Sequence, residues 1–344
     1  MIQEETAARS EFLGDARAQP GMNESSGGSS EGNRAMKADR IGFIGLGRMG
    51  AAMAANLAAI GHQVTAFVRH PERMAELQAL GLKPTTKIRD VFDCNIVISM
   101  LSDDDAVREV VFGREDIRRE GLIKGLSPGA IHISMSTIST AAASELAAAH
   151  ARRGQSYVAA PVFGNPDAAR AHQLYVIAAG ALTDVERCQP IFAAIGQQTF
   201  VVGEDPSTAN LIKLIGNALG AANMQNLSEA FALARKRGLD PHKLFDVLTG
   251  TMYGGRFHRI YGEKIAADEY GSSNFVLPLA LKDVRLALNE AELAGAPTPS
   301  FSVARDRLIA GIARGYSQLD WSALGLVALE EAGLAVQLPM RAAE

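Results

Sequence analysis

The sequence predicts an α/β fold in which a doubly wound domain with a parallel sheet is followed by an all-α domain. In the first half of the chain, short apolar runs such as RIGFIG and NIVISM alternate with helical stretches. This order is typical of a parallel sheet covered by helices on both faces. In the second half, the period of two that marks strands is nearly absent, and the apolar residues follow a helical period. We therefore expect a doubly wound domain over residues 40–205 and an all-helical domain over residues 206–335.

Composition and charge exclude several functional classes. The chain has 344 residues, of which 47% are hydrophobic and 21% are charged, and its formal net charge is −4. The negative charge gives no general attraction to nucleic acid or to an anionic membrane, and no apolar run approaches the ~18 residues of a membrane span. The two cysteines, Cys94 and Cys188, are too few for a disulfide framework or a metal site. We therefore expect no nucleic acid, no membrane and no metal among the partners.

Residues 1–39 differ in composition from the rest of the chain. The stretch NESSGGSSEGNR is polar and rich in glycine and serine, so it cannot bury enough apolar surface to offset the entropy of ordering. The segment lacks the apolar stretch of a signal peptide, and its acidic residues argue against a transit peptide. We expect a disordered N-terminal tail and a cytoplasmic protein.

The elements of the first half follow from local signals. RIGFIG predicts a strand, MGAAMAANLAAI a helix that ends at Gly61, and QVTAFV the second strand. PERMAELQAL predicts a helix that begins with proline and ends before Gly81. NIVISM, AIHISM, SYVAA and LYVIAAG predict further strands, with the helix TAAASELAAAHARRG between two of them. Ser102 is expected to cap the helix that follows NIVISM, because acidic residues fill its first turn.

The second half contains several helical segments. STANLIKLIGNALGAANMQNLSEAFALARKRG predicts one helix of about 30 residues. Asp240 is expected to cap the next helix, with Pro241 at its first position. LALKDVRLALNEAELAG and FSVARDRLIAGIARG predict two more helices. An all-helical, mostly apolar half also needs to bury its surface, which favours self-association.

A glycine motif indicates a dinucleotide site. Gly45, Gly47 and Gly50 form G-x-G-x-x-G directly after the first strand and at the start of a helix. In such a Rossmann turn the first glycine permits the tight bend, the second lets the backbone approach a pyrophosphate, and the third lets helix and strand pack closely. The pyrophosphate then meets free N–H groups at the positive end of the helix. The residues assigned to this turn are Gly45, Leu46, Gly47, Arg48, Met49 and Gly50.

The end of the second strand indicates which dinucleotide binds. A site that prefers NAD usually places Asp or Glu about 20 residues further on, against the ribose hydroxyl. Here the strand ends FVRHPER, and Arg69 stands at its tip. Arginine suits a 2′-phosphate, because its planar fork donates two hydrogen bonds to one anion. We therefore expect NADP as cofactor, with NAD as the alternative.

Further motifs stand in a fixed order along the chain. They are SMST at 134–137, APVFGNPDAARAHQL at 160–174, KLIGN at 213–217 and LKDV at 281–284. Together with GFIGLGRMGAAMAANL they resemble the β-hydroxyacid dehydrogenase family, which includes 3-hydroxyisobutyrate dehydrogenase and glyoxylate/succinic semialdehyde reductases. The resemblance runs from about Arg40 to Leu329. It implies hydride transfer between NADP and a small β-hydroxy acid, keto acid or aldehyde, in a homodimer or homotetramer.

The resemblance assigns catalysis to Lys213, with Asn217 beside it. Taken alone, a lysine in an apolar helix is more often one whose stem covers apolar surface while its charge reaches water. A spacing of four residues nevertheless puts Lys213 and Asn217 on one helix face. An ammonium donor is also what a carbonyl oxygen needs as hydride arrives, since that oxygen gains negative charge. The family pattern therefore implies that Lys213 is the general acid and base.

Other site residues follow from the same resemblance. The cofactor would also contact Met100, Leu101, Thr137 and Lys282, and the substrate would contact Ser136, Phe163, Gly164, Asn165, Phe275 and Asp283. Some alternatives stay open from the sequence. Ser136 and Thr137 could instead cap the helix that begins near Thr140, Lys282 and Asp283 could form a surface pair, and Phe275 could belong to the core.

The substrate segment departs from the family pattern. Phe163 replaces a serine and Asn165 a glycine of the segment that receives a carboxylate, and Pro166, Ala168 and His172 are further departures. A bulkier or less charged carbonyl compound is therefore open as the substrate. Two other functions stay open as well. One is an imine reductase-like NADPH enzyme, although such enzymes usually carry another residue in place of the lysine. The other is a non-catalytic nucleotide-binding scaffold.

Overall fold

The computed structural model describes residues 39–114, 119–271 and 275–336. The predicted disordered tail, residues 1–39, lies outside the described residues except for Asp39. The described chain contains a Rossmann-type α/β half followed by an all-helical half, which confirms the predicted fold class. Over these three ranges, no helix combines the length and the hydropathy that crossing a membrane requires.

The first half alternates strands with helices. Its strands are β1 (Arg40–Ile44), β2 (Gln63–Phe67), β3 (Lys83–Thr85), β4 (Ile96–Ser99), β5 (Gly113–Arg114), β6 (Arg119–Glu120), β7 (Ile131–Ser134), β8 (Ser156–Ala159), β9 (Val162–Phe163), β10 (Leu174–Ala179) and β11 (Gly196–Gly203). Its helices are α1 (Arg48–Ala59), α2 (Met74–Ala79), α3 (Asp104–Phe112), α4 (Leu122–Gly125), α5 (Thr140–Ala151), α6 (Pro166–Arg170) and α7 (Leu182–Ile195). Short 3-10 turns lie at Pro71–Arg73, just before α2, and at Ile88–Val91.

The strand order places the nucleotide site. The main sheet runs β11-β10-β8-β7-β4-β1-β2-β3, with β9 paired to β10. The chain proceeds from β1 outward to β3, then returns to add β4 on the other side of β1. The order thus reverses between β1 and β4, and ligands of such sheets bind in the crevice at the carboxyl ends of the two strands. The glycine turn follows β1 at this point.

The direction of β10 corrects one expectation. The sequence pattern predicts a parallel sheet, and most strands are parallel, but β10 runs antiparallel to β8 and to β9. A parallel connection needs a crossover of a dozen or more residues, usually a long helix. Between β8 and β10 the chain has only the two-residue strand β9 and the five-residue helix α6, so it turns back instead of crossing over.

Apolar clusters cover both faces of the sheet. Along β4, Val97 packs in one cluster and its neighbour Ile98 packs in another, and both are fully buried. Successive side chains of a strand point to opposite faces. Burial of both residues therefore shows that helices protect the sheet on both sides, as the apolar run NIVISM predicts.

The second half is a helical bundle built on one long helix. Its helices are α8 (Pro206–Lys236), α9 (Pro241–Gly250), α10 (Arg256–Ala266), α11 (Leu277–Leu293), α12 (Pro299–Ala313) and α13 (Leu324–Glu331). The 31-residue α8 packs on α5 and β10 of the first half and on α11 and α13 of the second. Asp240 caps α9 by accepting a hydrogen bond from the His242 N–H at 2.9 Å, which confirms the predicted cap.

The cap of α3 lies one residue later than predicted. Ser102 was the expected cap, but the Asp103 carboxylate accepts the hydrogen bond from the Ala106 N–H at 2.8 Å. The Ser102 hydroxyl donates to the other oxygen of Asp103 at 2.7 Å. A charged carboxylate interacts with the positive helix end more strongly than a neutral hydroxyl does, so the serine supports the cap instead of forming it.

Candidate active site

The glycine turn after β1 has the geometry that a pyrophosphate needs. Gly45 has φ +91°, and a Cβ atom at this position would lie 2.1 Å from the Met100 carbonyl oxygen. A Cβ atom on Gly50 would lie 2.1 Å from the Gly45 carbonyl oxygen. Gly47 instead faces open space and precedes α1 without a side-chain cap. The first N–H groups of α1 are therefore accessible to an anion that approaches over Gly47.

A cavity of about 300 Å³ lies against this turn. Its lining includes four residues predicted for the cofactor, Gly45, Leu46, Gly47 and Arg69, and two residues that follow Arg69, His70 and Arg73. Leu101 lines the same cavity from the β4 side. Arg48 and Met49 begin α1; Arg48 is exposed, and Met49 packs partly against the core. The predicted turn, the tip of β2 and the end of β4 thus surround one space.

Arg73 also lines this cavity, and the sequence analysis did not single it out. One of its N–H groups donates to the Leu46 carbonyl inside the glycine turn. The guanidinium also pairs with Glu76 at 2.9 Å. The available signal was the repetition of arginine four residues after Arg69, on the turn that leads into α2.

The residues predicted for catalysis, Lys213 and Asn217, form one connected chain of polar contacts with residues predicted for the substrate and the cofactor. The Lys213 Nζ donates to the Asn217 Oδ1 at 2.9 Å, and the Asn217 Nδ2 donates to the Asp283 Oδ2 at 2.6 Å. The Lys282 Nζ lies 2.8 Å from the Asp283 Oδ1 and donates to the Thr137 carbonyl at 2.5 Å. Residues from α8, from α11 and from the loop after β7 therefore meet at one place.

Lys213 is buried, and burial changes its pKa. Only 8% of Lys213 is exposed, so its charge does not reach bulk water as the snorkelling alternative requires. Burial lowers the pKa of Lys213 to about 8, the negative charge of Asp283 opposes this change, and the positive charge of Lys282 adds to it. Asp283 is 2% exposed, so the Lys282–Asp283 pair is not the surface pair that the sequence left open.

Phe163 packs its ring against the same ammonium. The Lys213 Nζ lies 4.4 Å from the centre of the Phe163 ring. The ring tip sits on α8 at Gly216, where an added Cβ would lie 2.4 Å from the Phe163 Cζ. Gly216 belongs to the quoted motif KLIGN, but only its lysine and asparagine were read as functional. Its role becomes visible only once β9 is placed beside α8.

The rest of the substrate segment has structural roles. Gly164 has φ +139°, and a Cβ there would lie 2.6 Å from a Leu174 methyl group, so the position requires glycine. The Asn165 Oδ1 accepts a hydrogen bond from the Ala168 N–H at 2.9 Å and caps α6. Asn165 therefore turns its side-chain oxygen into the helix.

Hydrogen bonds and packing describe three further predicted residues. The Ser136 hydroxyl accepts a hydrogen bond from the Leu101 N–H at 2.8 Å, and α5 is capped by Ser139. The alternative cap role of Ser136 and Thr137 is therefore wrong. Phe275 packs edge-on against Trp321 with ring centres 4.9 Å apart, beside the helical core.

Comparison with known proteins identifies the family. Residues 40–203 match the model of the NAD binding domain of 6-phosphogluconate dehydrogenase, and residues 207–328 match that for NAD binding of NADP-dependent 3-hydroxyisobutyrate dehydrogenase. The chain is 37% identical over 286 residues to YfjR, an uncharacterized oxidoreductase of Bacillus subtilis (strain 168), covering 83% of this chain and 98% of the relative. It is 32% identical to 3-sulfolactaldehyde reductase of Escherichia coli (strain K12), covering 87% of this chain and 99% of that protein.

The fold agrees with solved structures of the same group. The 3-hydroxyisobutyrate dehydrogenase of Mycobacterium tuberculosis superposes with a TM-score of 0.75 at 28% identity, covering 85% of this chain and 99% of that one. The matches therefore span both halves of the described chain. The chain belongs to the β-hydroxyacid dehydrogenase family and is an NAD(P)-dependent oxidoreductase that acts on CH–OH groups and their carbonyl counterparts.

Proposed function

We propose that this protein transfers hydride between NADP and a small aldehyde, keto acid or β-hydroxy acid, with Lys213 as the general acid and base. The observation that carries the proposal is the buried Lys213–Asn217 pair, whose Nζ–Oδ1 distance is 2.9 Å. The pKa of Lys213 also supports this role. A general acid works best when its pKa is near the working pH, and burial lowers the pKa of Lys213 to about 8.

The residues around the glycine turn fit a phosphorylated dinucleotide. Gly47 leaves open space over the start of α1, which suits a pyrophosphate. Arg69, His70 and Arg73 line the same cavity, and the two guanidinium groups supply positive charge and N–H donors for a 2′-phosphate. When bound, the nicotinamide supplies or accepts the hydride. These contacts support NADP over NAD, since Arg69 occupies the position where an NAD site carries a carboxylate.

Lys213 handles the proton, and its neighbours hold it in place. An ammonium has three N–H donors. One donates to Asn217 and another faces the Phe163 ring, which leaves the third for the carbonyl oxygen of a substrate. Donation to that oxygen stabilises the negative charge that develops as the carbonyl is reduced. In the oxidative direction, the neutral amine accepts the proton of the alcohol.

Asn217 and Asp283 fix the direction of Lys213. Because the Asn217 Nδ2 donates to Asp283, its Oδ1 is the atom that faces the lysine. Lys282 balances the Asp283 charge and ties α11 to the Thr137 loop. Asn217, Asp283 and Lys282 are therefore proposed as positioning residues for the general acid.

The proposal includes a cytoplasmic location and self-association of the chain. Self-association is supported by an exposed apolar face of α8. On α8, Ile212, Ile215 and Leu219 are 36%, 46% and 51% exposed and lie on one helix face. A second copy of the chain would cover this apolar face, which supports the homodimer or homotetramer. Light scattering of the purified protein tests this directly, and a monomer at micromolar concentration would contradict it.

The function is tested by following the loss of NADPH absorbance against glyoxylate, succinic semialdehyde, butanal and a cyclic imine. We expect turnover of a carbonyl compound, and at least about a 100-fold loss of kcat in Lys213→Ala. Lys243→Ala, an exposed lysine on α9, is the matched control and should behave as the wild type. Arg69→Ala should raise the KM for NADPH more than that for NADH. Unchanged carbonyl turnover in Lys213→Ala, or turnover of the imine alone, would contradict the proposal.

A further inference from the structure

The Phe163 ring occupies one side of the proposed proton donor. The ring centre lies 4.4 Å from the Lys213 Nζ, within the range at which an aromatic face attracts an ammonium. Phe163 itself is only half-buried. The ring therefore touches the ammonium on one side and remains reachable by a molecule that enters the site.

The backbone and α8 hold this ring in position. Phe163 pairs with Tyr175 across β9 and β10, which fixes its backbone. The ring tip occupies the space left by the missing Cβ of Gly216. The adjacent Gly164 adopts a backbone angle, φ +139°, that other residues rarely take. Its surroundings therefore hold the Phe163 ring in a fixed position, where it forms one wall of the proposed site.

The groups beside the wall offer little to a carboxylate. The phenylalanine side chain has no hydrogen-bond donor, so the ring itself cannot bind a carboxylate by hydrogen bonds. Lys282 is paired with Asp283 at 2.8 Å. A carboxylate that binds directly to Lys213 would take the donor that the carbonyl oxygen needs. A carboxylate that lies along the ring would lose its water without gaining a partner, and that loss is costly.

We propose that Phe163 determines specificity, because its ring forms an apolar wall beside Lys213 that favours aldehydes with an uncharged chain over aldehydes that carry a carboxylate. The inference rests on the proposed hydride transfer, within which it names the substrate class. An alkyl chain that covers the ring gains from the burial of apolar surface on both partners. This apolar wall therefore favours the binding of an uncharged chain and disfavours the binding of a charged one.

The kinetic test uses two substrates that differ only at the far end of the chain. Butanal ends in a methyl group where succinic semialdehyde ends in a carboxylate. We expect the wild type to favour butanal by about tenfold or more in kcat/KM. Phe163→Ser should shift this ratio toward the semialdehyde by about tenfold or more, whereas Phe163→Leu, which keeps an apolar side chain, should retain the preference. Phe112→Ser, an exposed phenylalanine at the end of α3, is the control.

A binding test separates this inference from the proposed reaction. Butyramide and succinamate are unreactive amides with the same two chain ends, and calorimetry measures their binding to the NADPH complex of each variant. Butyramide should bind the wild type about tenfold more tightly, and Phe163→Ser should lose the difference. If no aldehyde is reduced, the proposed reaction fails and the amides alone decide on Phe163. The inference is overturned if the wild type prefers either carboxylate-bearing ligand, or if Phe163→Ser leaves both ratios unchanged.

Discussion

Lys213 keeps its ammonium at a depth where water cannot compensate for the charge. The sequence motif KLIGN was compatible with a solvated lysine, because the methylene stem often covers apolar surface while the charge stays wet. In the structure only 8% of the residue is exposed, and the ammonium bonds to Asn217. The spacing of four residues predicted this pair. The burial depends on strands and helices packed around α8, which the spacing does not encode.

Burial lowers the pKa of Lys213, and the negative charge of Asp283 partly opposes that change. In the proposed reaction, aldehyde reduction requires the protonated ammonium, so its kcat/KM should fall as the pH rises through about 8. The Asp283 charge raises the pKa of Lys213, so Asp283→Asn should move the descending limb to lower pH. The measurement is the pH profile of kcat/KM for both proteins, from about pH 6 to pH 10.

A matched acidic residue controls for the loss of charge. Asp246 is exposed on α9, and Asp246→Asn removes the same charge outside this chain of polar contacts. Its profile should coincide with that of the wild type. An apparent pKa in Asp283→Asn that is equal to or higher than the wild-type value would contradict the assigned role.

Several contacts of single residues could not be predicted from the sequence. Phe163 and Asn165 were recognised as departures from the family pattern, but their contacts were not predictable. The Phe163 ring meets Lys213 about 50 residues later in the chain, and the Asn165 side chain caps a helix that the sequence reading did not include. Arg73 was missed because the repetition of arginine after Arg69 does not by itself reveal a hydrogen bond to the Leu46 carbonyl.

At the scale of elements, α8 carries glycines that are unfavourable for a helix but make room for aromatic rings. Gly216 faces Phe163, and Gly220 faces the Trp321 ring, where an added Cβ would lie 2.8 Å from its nearest atom. Glycine in a helix interior costs roughly 0.5–1 kcal/mol relative to alanine. This cost is offset where a large ring packs directly on the helix backbone, which explains why a good helix former is absent at both positions.

Gly216→Ala tests the coupling between α8 and β9. The added methyl group would displace the Phe163 ring, because it would lie 2.4 Å from the Phe163 Cζ if nothing moved. We expect kcat/KM for the preferred aldehyde to fall by about tenfold, because a small misplacement in a site of this kind is expensive. The melting temperature should change little, since helix propensity and ring displacement have opposite effects. The measurement combines steady-state kinetics with thermal unfolding.

The end of α9 provides the control for this substitution. Gly250 is a helical glycine with open space around its Cβ position, so Gly250→Ala should leave kcat/KM unchanged. A Gly216→Ala protein with wild-type kinetics would show that the ring does not contribute to the site.

The direction of β10 shows what apolar runs cannot predict about elements. LYVIAAG reads as a buried strand, and β10 is one, spanning Leu174–Ala179. A buried strand is apolar on both faces in either orientation, so its direction depends on the connection before it. That connection contains α6, whose short length was not evident from the sequence.

The whole molecule depends on α8 and α11 to join its two halves. α8 contacts α5 and β10, and α11 reaches the first half through Lys282 and Glu290. The Thr140 hydroxyl donates to the Glu290 carboxylate at 2.7 Å. The sequence predicted the fold class because the strand and helix periods change near residue 205. It could not predict these bridges, since they link residues about 150 positions apart.

Global stability involves a buried chain of neutral histidines that crosses several elements. The Gln155 Nε2 donates to the Leu126 carbonyl at 2.7 Å, so its Oε1 accepts from the His150 Nδ1 at 2.8 Å. The His150 Nε2 must then accept from the His132 Nδ1 at 3.0 Å, and the His132 Nε2 accepts from the Ser99 hydroxyl at 2.9 Å. Each link uses a neutral imidazole. A proton on the His150 Nε2 would place two donors face to face, and a proton on the His132 Nε2 would force the Ser99 hydroxyl to turn and accept.

Acid should therefore destabilise the folded protein through these rings. Burial lowers the pKa of His150 to about 4 and that of His132 well below its usual value, whereas unfolded histidines titrate near about 6.5. Below about pH 6.5 the unfolded chain therefore binds more protons than the folded chain. The stabilisation that the two neutral rings give the folded state is complete above that pH and is lost as the pH falls toward about 4. Each ring contributes a slope of up to about 1.4 kcal/mol per pH unit to the free energy of unfolding.

Urea titrations between about pH 5 and pH 7 measure how the free energy of unfolding changes with pH. This slope should be shallower for His150→Gln than for the wild type. His242→Gln, an exposed control, should keep the wild-type slope. Equal slopes in His150→Gln and the wild type would mean that these rings do not control the acid sensitivity of the fold.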